Sequence, residues 1–330
     1  MKCRLLAKWL RTRLTVLGPG LTLLFSAVAT AAAPVTVAVI PQQVSEHVWF
    51  VQGLSGMVSL SNEGFNSNAA FVVTDEGVVV FDALGTPALG AELRRQIRLI
   101  TDQPIVKIII SHYHSDHFYG LQAFEQDEPE ILAHQFVAQY LQTPAPAARL
   151  TERRQSLAPW IDKTSRVIAP TRYVAGPHAF SLGGVSFEVR PAGPGHTPED
   201  LSMLVQPDAV LLAGDLVVAG RIPFVGDADS KHWLEAIERL TQDAPRTIVP
   251  GHGPVSRDAM ADLELTRRYL QHLQQTMSDA VDDLQTFDEA YANTDWSAFA
   301  HLPAFQNANR INAYNVYLQM EQRALNGKQR

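Results

Sequence analysis

Four side chains able to bind a metal ion, His112, His114, Asp116 and His117, occupy six consecutive positions one residue, Ser111, after the apolar run Ile108-Ile109-Ile110. With 11 histidines in 330 residues, the pattern H-x-H-x-D-H arises by chance in fewer than about one such chain in a thousand. At the end of a strand, residues two apart point the same way. His112 and His114 can therefore reach one ion, and the chain then turns to offer Asp116 and His117 to a second. Zinc takes imidazole nitrogen and carboxylate oxygen at about 2.0–2.2 Å in near-tetrahedral geometry, which short rigid loops at strand ends can hold.

Three later positions repeat the same local order, an apolar strand leading to a ligand-type residue. Val185–Arg190 leads to Gly195-His196-Thr197, Val210–Ala213 to Gly214-Asp215, and Thr247–Val249 to Pro250-Gly251-His252-Gly253. A glycine beside each lets backbone pack closely. Taken singly these are ordinary: a lone His beside Gly is more often structural than a ligand, and Gly-Asp is a common turn. Taken in order after the H-x-H-x-D-H run, they complete a set of seven. The remaining histidines, His47, His134, His178, His232, His272 and His301, lack a ligand context.

Such a set needs strands that end along one edge. Short runs at Val48–Val51, Met57–Leu60, Ala69–Thr74 and Val78–Phe81 are separated by Asn62-Glu63-Gly64 and Asp75-Glu76-Gly77, the pattern of antiparallel strands and hairpins. Ala88–Ile100 carries Leu89, Leu93, Ile97 and Ile100 at helical spacing and is followed by the β-branched run Ile105–Ile110, a helix and then a strand. Helical stretches are expected at Leu121–Phe124 and Ile131–Tyr140. The Pro-, Ala- and charge-rich segment Thr143–Arg172 reads as a partly helical insertion over the site. Strands resume at Val185–Arg190, Ser202–Val205, Ala209–Leu212 and Thr247–Val249, with a helix near Ser230–Leu240 capped by Asp229 or Ser230. The tail Asp258–Leu325 is mainly helical, with breaks at Asn293-Thr294-Asp295 and Leu302-Pro303. This alternation suits a layered α/β structure, two central sheets with helices outside.

With 46% hydrophobic and 18% charged residues, the chain can bury a substantial core and is not of a disordered composition. Residues 1–31 carry five basic and no acidic residues ahead of and around the apolar run Leu21–Ala29, with Thr30-Ala31-Ala32-Ala33 after it. That is the order of a Sec-type signal peptide, and it implies a periplasmic or secreted protein. Gly18, Pro19 and Gly20 break the apolar stretch, which falls short of the roughly 20 residues a membrane span needs, so no stable anchor is expected after cleavage. The single cysteine, Cys3, goes with the leader, leaving no disulfide and only His and carboxylates as metal ligands. The remaining 22 Lys and Arg against 34 Asp and Glu give a formal charge of −12, which argues against binding nucleic acid.

The order of these residues resembles the metallo-β-lactamase superfamily from about Val48 to His252. The resemblance implies an α/β fold, a four-layer αββα sandwich at 34–256, with 257–330 a helical C-terminal extension packed on the same domain. Carried over residue by residue, His112, His114 and His196 would hold one metal, Asp116, His117 and His252 another, and Asp215 would bridge them. Two Zn²⁺ are implied; iron or manganese also suits such ligands. Asp82, ending Val78–Phe81, matches an aspartate that braces the metal loop. An aspartate at 215 is similar to the glyoxalase II, lactonase and phosphodiesterase type. Many true β-lactamases have cysteine there and a substrate-clamping lysine three residues on, a place held here by Val218. Arg221 could instead meet a substrate carboxylate, and Phe65, Asn68 and Phe224 are further substrate-contact candidates, with Trp160 and Trp233 as other aromatics for a pocket. Phe65-Asn66-Ser67-Asn68, Arg221-Ile222-Pro223-Phe224, Tyr113, Phe118 and Asn312–Leu318 also resemble periplasmic metallohydrolases encoded beside quinoprotein dehydrogenases, implying a functional link to such an enzyme.

The chemistry implied is hydrolysis of a small ester, thioester, lactone or lactam. A solvent molecule shared by two metals would be presented as hydroxide near neutral pH, with Asp116 orienting it. Two other readings stay open: an iron-dependent, persulfide-oxidising enzyme of the same fold, and a metal-stabilised accessory protein for a periplasmic quinoprotein dehydrogenase.

Overall fold

The computed structural model describes residues 33–226, 228–242, 245–255 and 258–327, so the expected signal peptide at 1–31 lies outside the described residues. In chain order the strands and helices begin with β1 (Pro41–Gln43), β2 (Val48–Val51), β3 (Ala69–Thr74), β4 (Gly77–Phe81), α1 (Pro87–Ile100) and β5 (Ile105–Ile109). Next come α2 (Ser115–Phe118), a 3₁₀ segment Tyr119–Asp127, β6 (Glu130–His134), α3 (Phe136–Leu141) and α4 (Ala145–Ser156). They are followed by β7 (Arg172–Val174), β8 (His178–Leu182), β9 (Val185–Pro191), β10 (Leu201–Gln206) and β11 (Val210–Val218). The last are α5 (Ser230–Gln242), β12 (Thr247–His252), α6 (Ala259–Asp282), α7 (Phe287–Asn293) and α8 (Phe305–Gly327). Among the described residues, no helix is long and apolar enough to cross a membrane.

The strands form two sheets, one of seven in the order β1 to β7 and one of five in the order β12-β11-β10-β9-β8. β4 is buried along its whole length, and its two faces serve different layers, as strand alternation requires. Val79 and Phe81 join Val72, Ile109, Phe187, Met203 and Leu212 in the apolar layer between the sheets. Val78 and Val80 face outward onto Leu89, Leu93 and Ile97 of α1. That helix starts at Pro87 because the Thr86 hydroxyl accepts the Leu89 N–H. On the far side, Leu211, Ala213 and Ile248 meet Trp233 and Ile237 of α5, Leu270 and Leu273 of α6, and Val316 of α8. The result is a four-layer αββα sandwich whose second helical layer is built largely from the tail.

Several elements differ from the sequence reading. Ile131–Tyr140, expected as helix, is β6 followed by the short α3. A short apolar run fits either period, and the parallel pairing of Ile108 with Ile131 and Ile109 with Leu132 decides for strand. Met57–Leu60 is not a strand. The Asn62 side chain accepts the Ser59 N–H and donates to the Met57 carbonyl, closing a local turn that competes with a ladder. β7 and β8 were not anticipated, being short and carrying exposed residues. β11 and β12 run on past the apolar stretch to include Asp215 and His252 themselves.

The tail shares one apolar cluster with the second sheet, so it should unfold with it. Leu273→Ala is expected to cost about 2–5 kcal/mol within a single denaturant transition followed by circular dichroism and tryptophan fluorescence. A separate, earlier transition for the tail would contradict this arrangement.

Candidate metal centre

β5 runs parallel to β4, and β12 parallel to β11. β9 is antiparallel to β10, which is antiparallel to β11, so β9 also runs with them. The carboxyl ends of these strands therefore open on one edge of the sandwich and deliver Asp82, the segment 111–117, His196, Asp215 and His252 to it. Two glycines permit the approach. Gly214 has φ +53, where a Cβ would stand 2.7 Å from that of Ser111, and a Cβ on Gly251 would overlap Asp215 Oδ1.

Metal-capable atoms gather there in two groups, each within 4.8 Å: His112, His114, His196 and Asp215, and Asp116, His117 and His252. In the first, His114 Nδ1 lies 3.1 Å from His112 Nε2 and 2.9 Å from His196 Nε2, and Asp215 Oδ2 is 3.4 Å from the latter. In the second, Asp116 Oδ2 stands 3.8 Å from His117 Nε2 and 3.6 Å from His252 Nε2. Asp215 also belongs here, its Oδ1 3.2 Å from His117 Nε2 and its Oδ2 3.2 Å from His252 Nε2. Tetrahedral donors about 2.0–2.1 Å from a common ion stand roughly 3.3 Å apart, in the middle of these separations. Three imidazole nitrogens converging on one point, and buried His117 Nε2 and Asp215 Oδ1 facing each other, make a donor set that fits divalent cations of the zinc type.

The outward ring nitrogens are held separately. Asp82 Oδ2 accepts from His117 Nδ1 at 2.8 Å and from the Ser111 hydroxyl at 2.7 Å, and its Oδ1 accepts the Ser111 N–H. Ser111 Oγ meets His112 Nδ1 at 2.9 Å, and His252 Nδ1 donates to the Asn66 carbonyl at 2.6 Å. Such bonds fix which nitrogen faces the centre. Asn66 Nδ2 donates to Asp116 Oδ2 at 2.9 Å, Ser67 Oγ donates to the Asp116 carbonyl, and the Trp233 ring lies 5.1 Å from that of His196.

The charges are strongly coupled. Burial drives His112 well below its ordinary value and takes His196 down to about 3, so both offer a lone pair rather than a proton at neutral pH. Burial opposes protonation of His117 as well, but Asp215, Asp82 and Asp116 outweigh it and hold that imidazole well above its usual range. Burial alone would raise Asp116 and Asp215; His117 and His252 overcome it, taking Asp116 down to about 2 and Asp215 well below its usual value. The pocket thus demands positive charge beside its carboxylates.

The seven expected ligands and Asp82 are brought together, whereas the expected substrate contacts diverge. Phe65 is buried in the apolar layer against α1. Asn68 is buried too, its Oδ1 accepting from Gly53 N–H while its amide donates to the carbonyls of Pro250 and Gly253, a brace without a free polar end. Trp233 is also core. Arg221 is buried, donating to the carbonyls of Gly56 and Ile222, within the field of Asp215 and Asp116. Phe224 is 37% exposed on the same segment. The insertion does reach the site: Arg153 of α4 donates to Ser115 Oγ at 3.1 Å, and the Tyr113 hydroxyl donates to the Ile168 carbonyl. Sequence reasoning gave no role to Asn66, Ser67 and Ser111, although Asn66 and Ser67 lie in a segment that carries the resemblance and Ser111 adjoins a strand end and a ligand.

A family model described as the metallo-beta-lactamase superfamily matches residues 62–252. A probable metallo-hydrolase of Streptococcus pyogenes serotype M6 is 24% identical over 195 residues, covering 57% of this chain and 79% of its own. A metallo-beta-lactamase type 2 of Bacillus cereus is 24% identical over 218 residues, covering 64% and 76%. Among solved structures, the inverting sec-alkylsulfatase Pisa1 from Pseudomonas sp. superposes with TM-score 0.67 at 17% identity, over 84% of this chain and 50% of that one, a likeness of fold.

The turn carrying His196 is tied by Asp200, which accepts from both the Thr197 N–H and hydroxyl. Desolvation pushes its carboxyl up to about 8 despite those bonds. A folded pKa above the unfolded one of about 3.9 means stability is lost progressively as pH rises from about 4 to about 8. Asn keeps the acceptor and never ionises. The stability of Asp200→Asn relative to the parent, from urea unfolding, should therefore climb across that window; a flat difference would contradict a neutral buried carboxyl.

Proposed function

The chain belongs to the metallo-beta-lactamase superfamily, and on that premise we propose that this metal-dependent hydrolase is an exported, dinuclear zinc enzyme acting on a small ester, thioester, lactone or lactam. The observation that carries the reading is the Asp215 carboxylate lying within 3.2–3.4 Å of nitrogens from both donor groups, the position of a bridge. His112, His114 and His196 would hold one cation and Asp116, His117 and His252 the other. Bound there, the pair would supply a water-derived nucleophile at neutral pH and a Lewis acid for the substrate oxygen.

The chain's own residues do the rest. Asp116, ionised and aimed by Asn66, accepts a hydrogen bond from the attacking solvent and orients it. Asp82 and the Asn66 carbonyl keep the His117 and His252 rings from turning. No serine or cysteine nucleophile is needed. The buried Arg221 guanidinium bonds only to backbone carbonyls and would meet an anionic group of the substrate, such as a carboxylate. Export is supported by the basic, apolar and small-residue order of residues 1–33. The resemblance to proteins encoded beside quinoprotein dehydrogenases supports a functional tie to such a partner.

Protein purified without chelator should carry about two zinc ions per chain and turn over at least one member of a panel of thioesters, lactones, phosphodiesters and chromogenic lactams. Metal removal or His114→Ala should lower kcat/KM by at least about 10³-fold. Undiminished hydrolysis by the variant, or iron as the active metal with oxygen uptake on a persulfide, would overturn the proposal.

A further inference from the structure

One face of α8 carries Asn312, Asn315 and Gln319, spaced three and four residues apart and so on one stripe of the helix. All three amides turn to the segment that follows β11. Asn312 Nδ2 donates to the Pro223 carbonyl and its Oδ1 accepts the Val225 N–H, both at 2.8 Å. Asn315 Nδ2 donates to the Gly226 carbonyl and Gln319 Nε2 to that of Ala228, each at 2.7 Å. Asn312 is fully buried, and its second amide hydrogen goes to the Tyr269 hydroxyl of α6, which donates to Asn309. Ile222 N–H donates to the Pro303 carbonyl just before α8.

These contacts fall on backbone groups, so they fix the course of the segment without regard to its side chains. The segment has no regular structure of its own, and loops of that kind drift unless tied. Its other end holds Arg221, whose guanidinium reaches the Gly56 carbonyl on the loop between β2 and β3. A buried guanidinium with a planar donor fork needs its position set closely to be useful.

We infer that Asn312, Asn315 and Gln319 are positioning residues for the active site: α8 holds residues 221–226 in place, and with them the buried Arg221 guanidinium that the proposed function assigns to an anionic group of the substrate. The helical extension is then part of the substrate-selecting machinery as well as cover for the second sheet. The inference rests on the hydrolase reading given above.

The test uses the full, metal-loaded chain and two aryl esters, one neutral and one bearing a distal carboxylate. Asn312→Ala and Asn315→Ala should each raise KM for the anionic ester about tenfold, with kcat and metal content kept and KM for the neutral ester within about twofold. Combining Asn315→Ala with Arg221→Gln should add little to Arg221→Gln alone, since both act through one contact. Equal changes for the two esters, or full additivity, would overturn the inference. Amide hydrogen exchange supplies a readout apart from turnover: the Val225 N–H should exchange faster in Asn312→Ala, and unchanged exchange overturns the clamp whatever the activity. If the parent hydrolyses neither ester, a neutral and a carboxylate-bearing member of whichever panel class it does turn over take their place; turnover of no panel member overturns the functional reading, and unchanged Val225 exchange overturns the clamp in either case.

Discussion

The structure depends on one constraint, the gathering of five imidazoles and two carboxylates into a space where they cannot all satisfy one another. Buried nitrogen lone pairs facing each other at 2.9–3.1 Å gain nothing without a cation or proton between them, and leaving buried polar atoms unpaired costs about 1–3 kcal/mol each. A fold tolerates this only when surrounding packing is strong and the same atoms are put to use. The strain is visible at Asp82 itself, a non-glycine residue held at φ +63.

What holds the donors in place is strand direction. β4 with β5, and β9 with β11 and β12, all end at the same edge, so a single layer of apolar contacts between the sheets fixes the relative positions of both donor groups. Around that frame lies a ring of small polar residues, Ser111, Asn66, Ser67 and Asp200, each spending its hydrogen bonds on a ligand or on the backbone beside one. The tail continues the same logic. α6 and α8 bury the outer face of the second sheet, and α8 also reads the backbone that runs from β11 to α5.

The fold class was legible because β-branched runs such as Val78–Phe81 and Ile105–Ile110 and the helical spacing of Leu89, Leu93 and Ile97 admit one interpretation. Ile131–Ala133 admitted two, and only the neighbouring strands choose between them. At the site, the 112–117 cluster stands out because its chemistry is contiguous. His196, Asp215 and His252 are individually ordinary, and it took their order, and the family it resembles, to place them together. At Phe65 and Asn68 nothing in the sequence signals their surroundings: Phe65 is buried among apolar side chains and the Asn68 amide makes three backbone hydrogen bonds. Asn66, Asn312 and Asn315 lie in segments that carry the resemblance, but their roles, like that of Gln319, were not legible: Asn66 meets the Asp116 and His252 side chains 50 and 186 positions away, and the α8 amides meet backbone groups 87 to 91 positions away.

The most direct test is anomalous diffraction from crystals of the zinc-loaded protein, collected on either side of the zinc edge. The account requires two peaks, one bounded by His112, His114 and His196 and one by Asp116, His117 and His252, with Asp215 touching both. A single peak, or zinc bound away from these seven side chains, would contradict it.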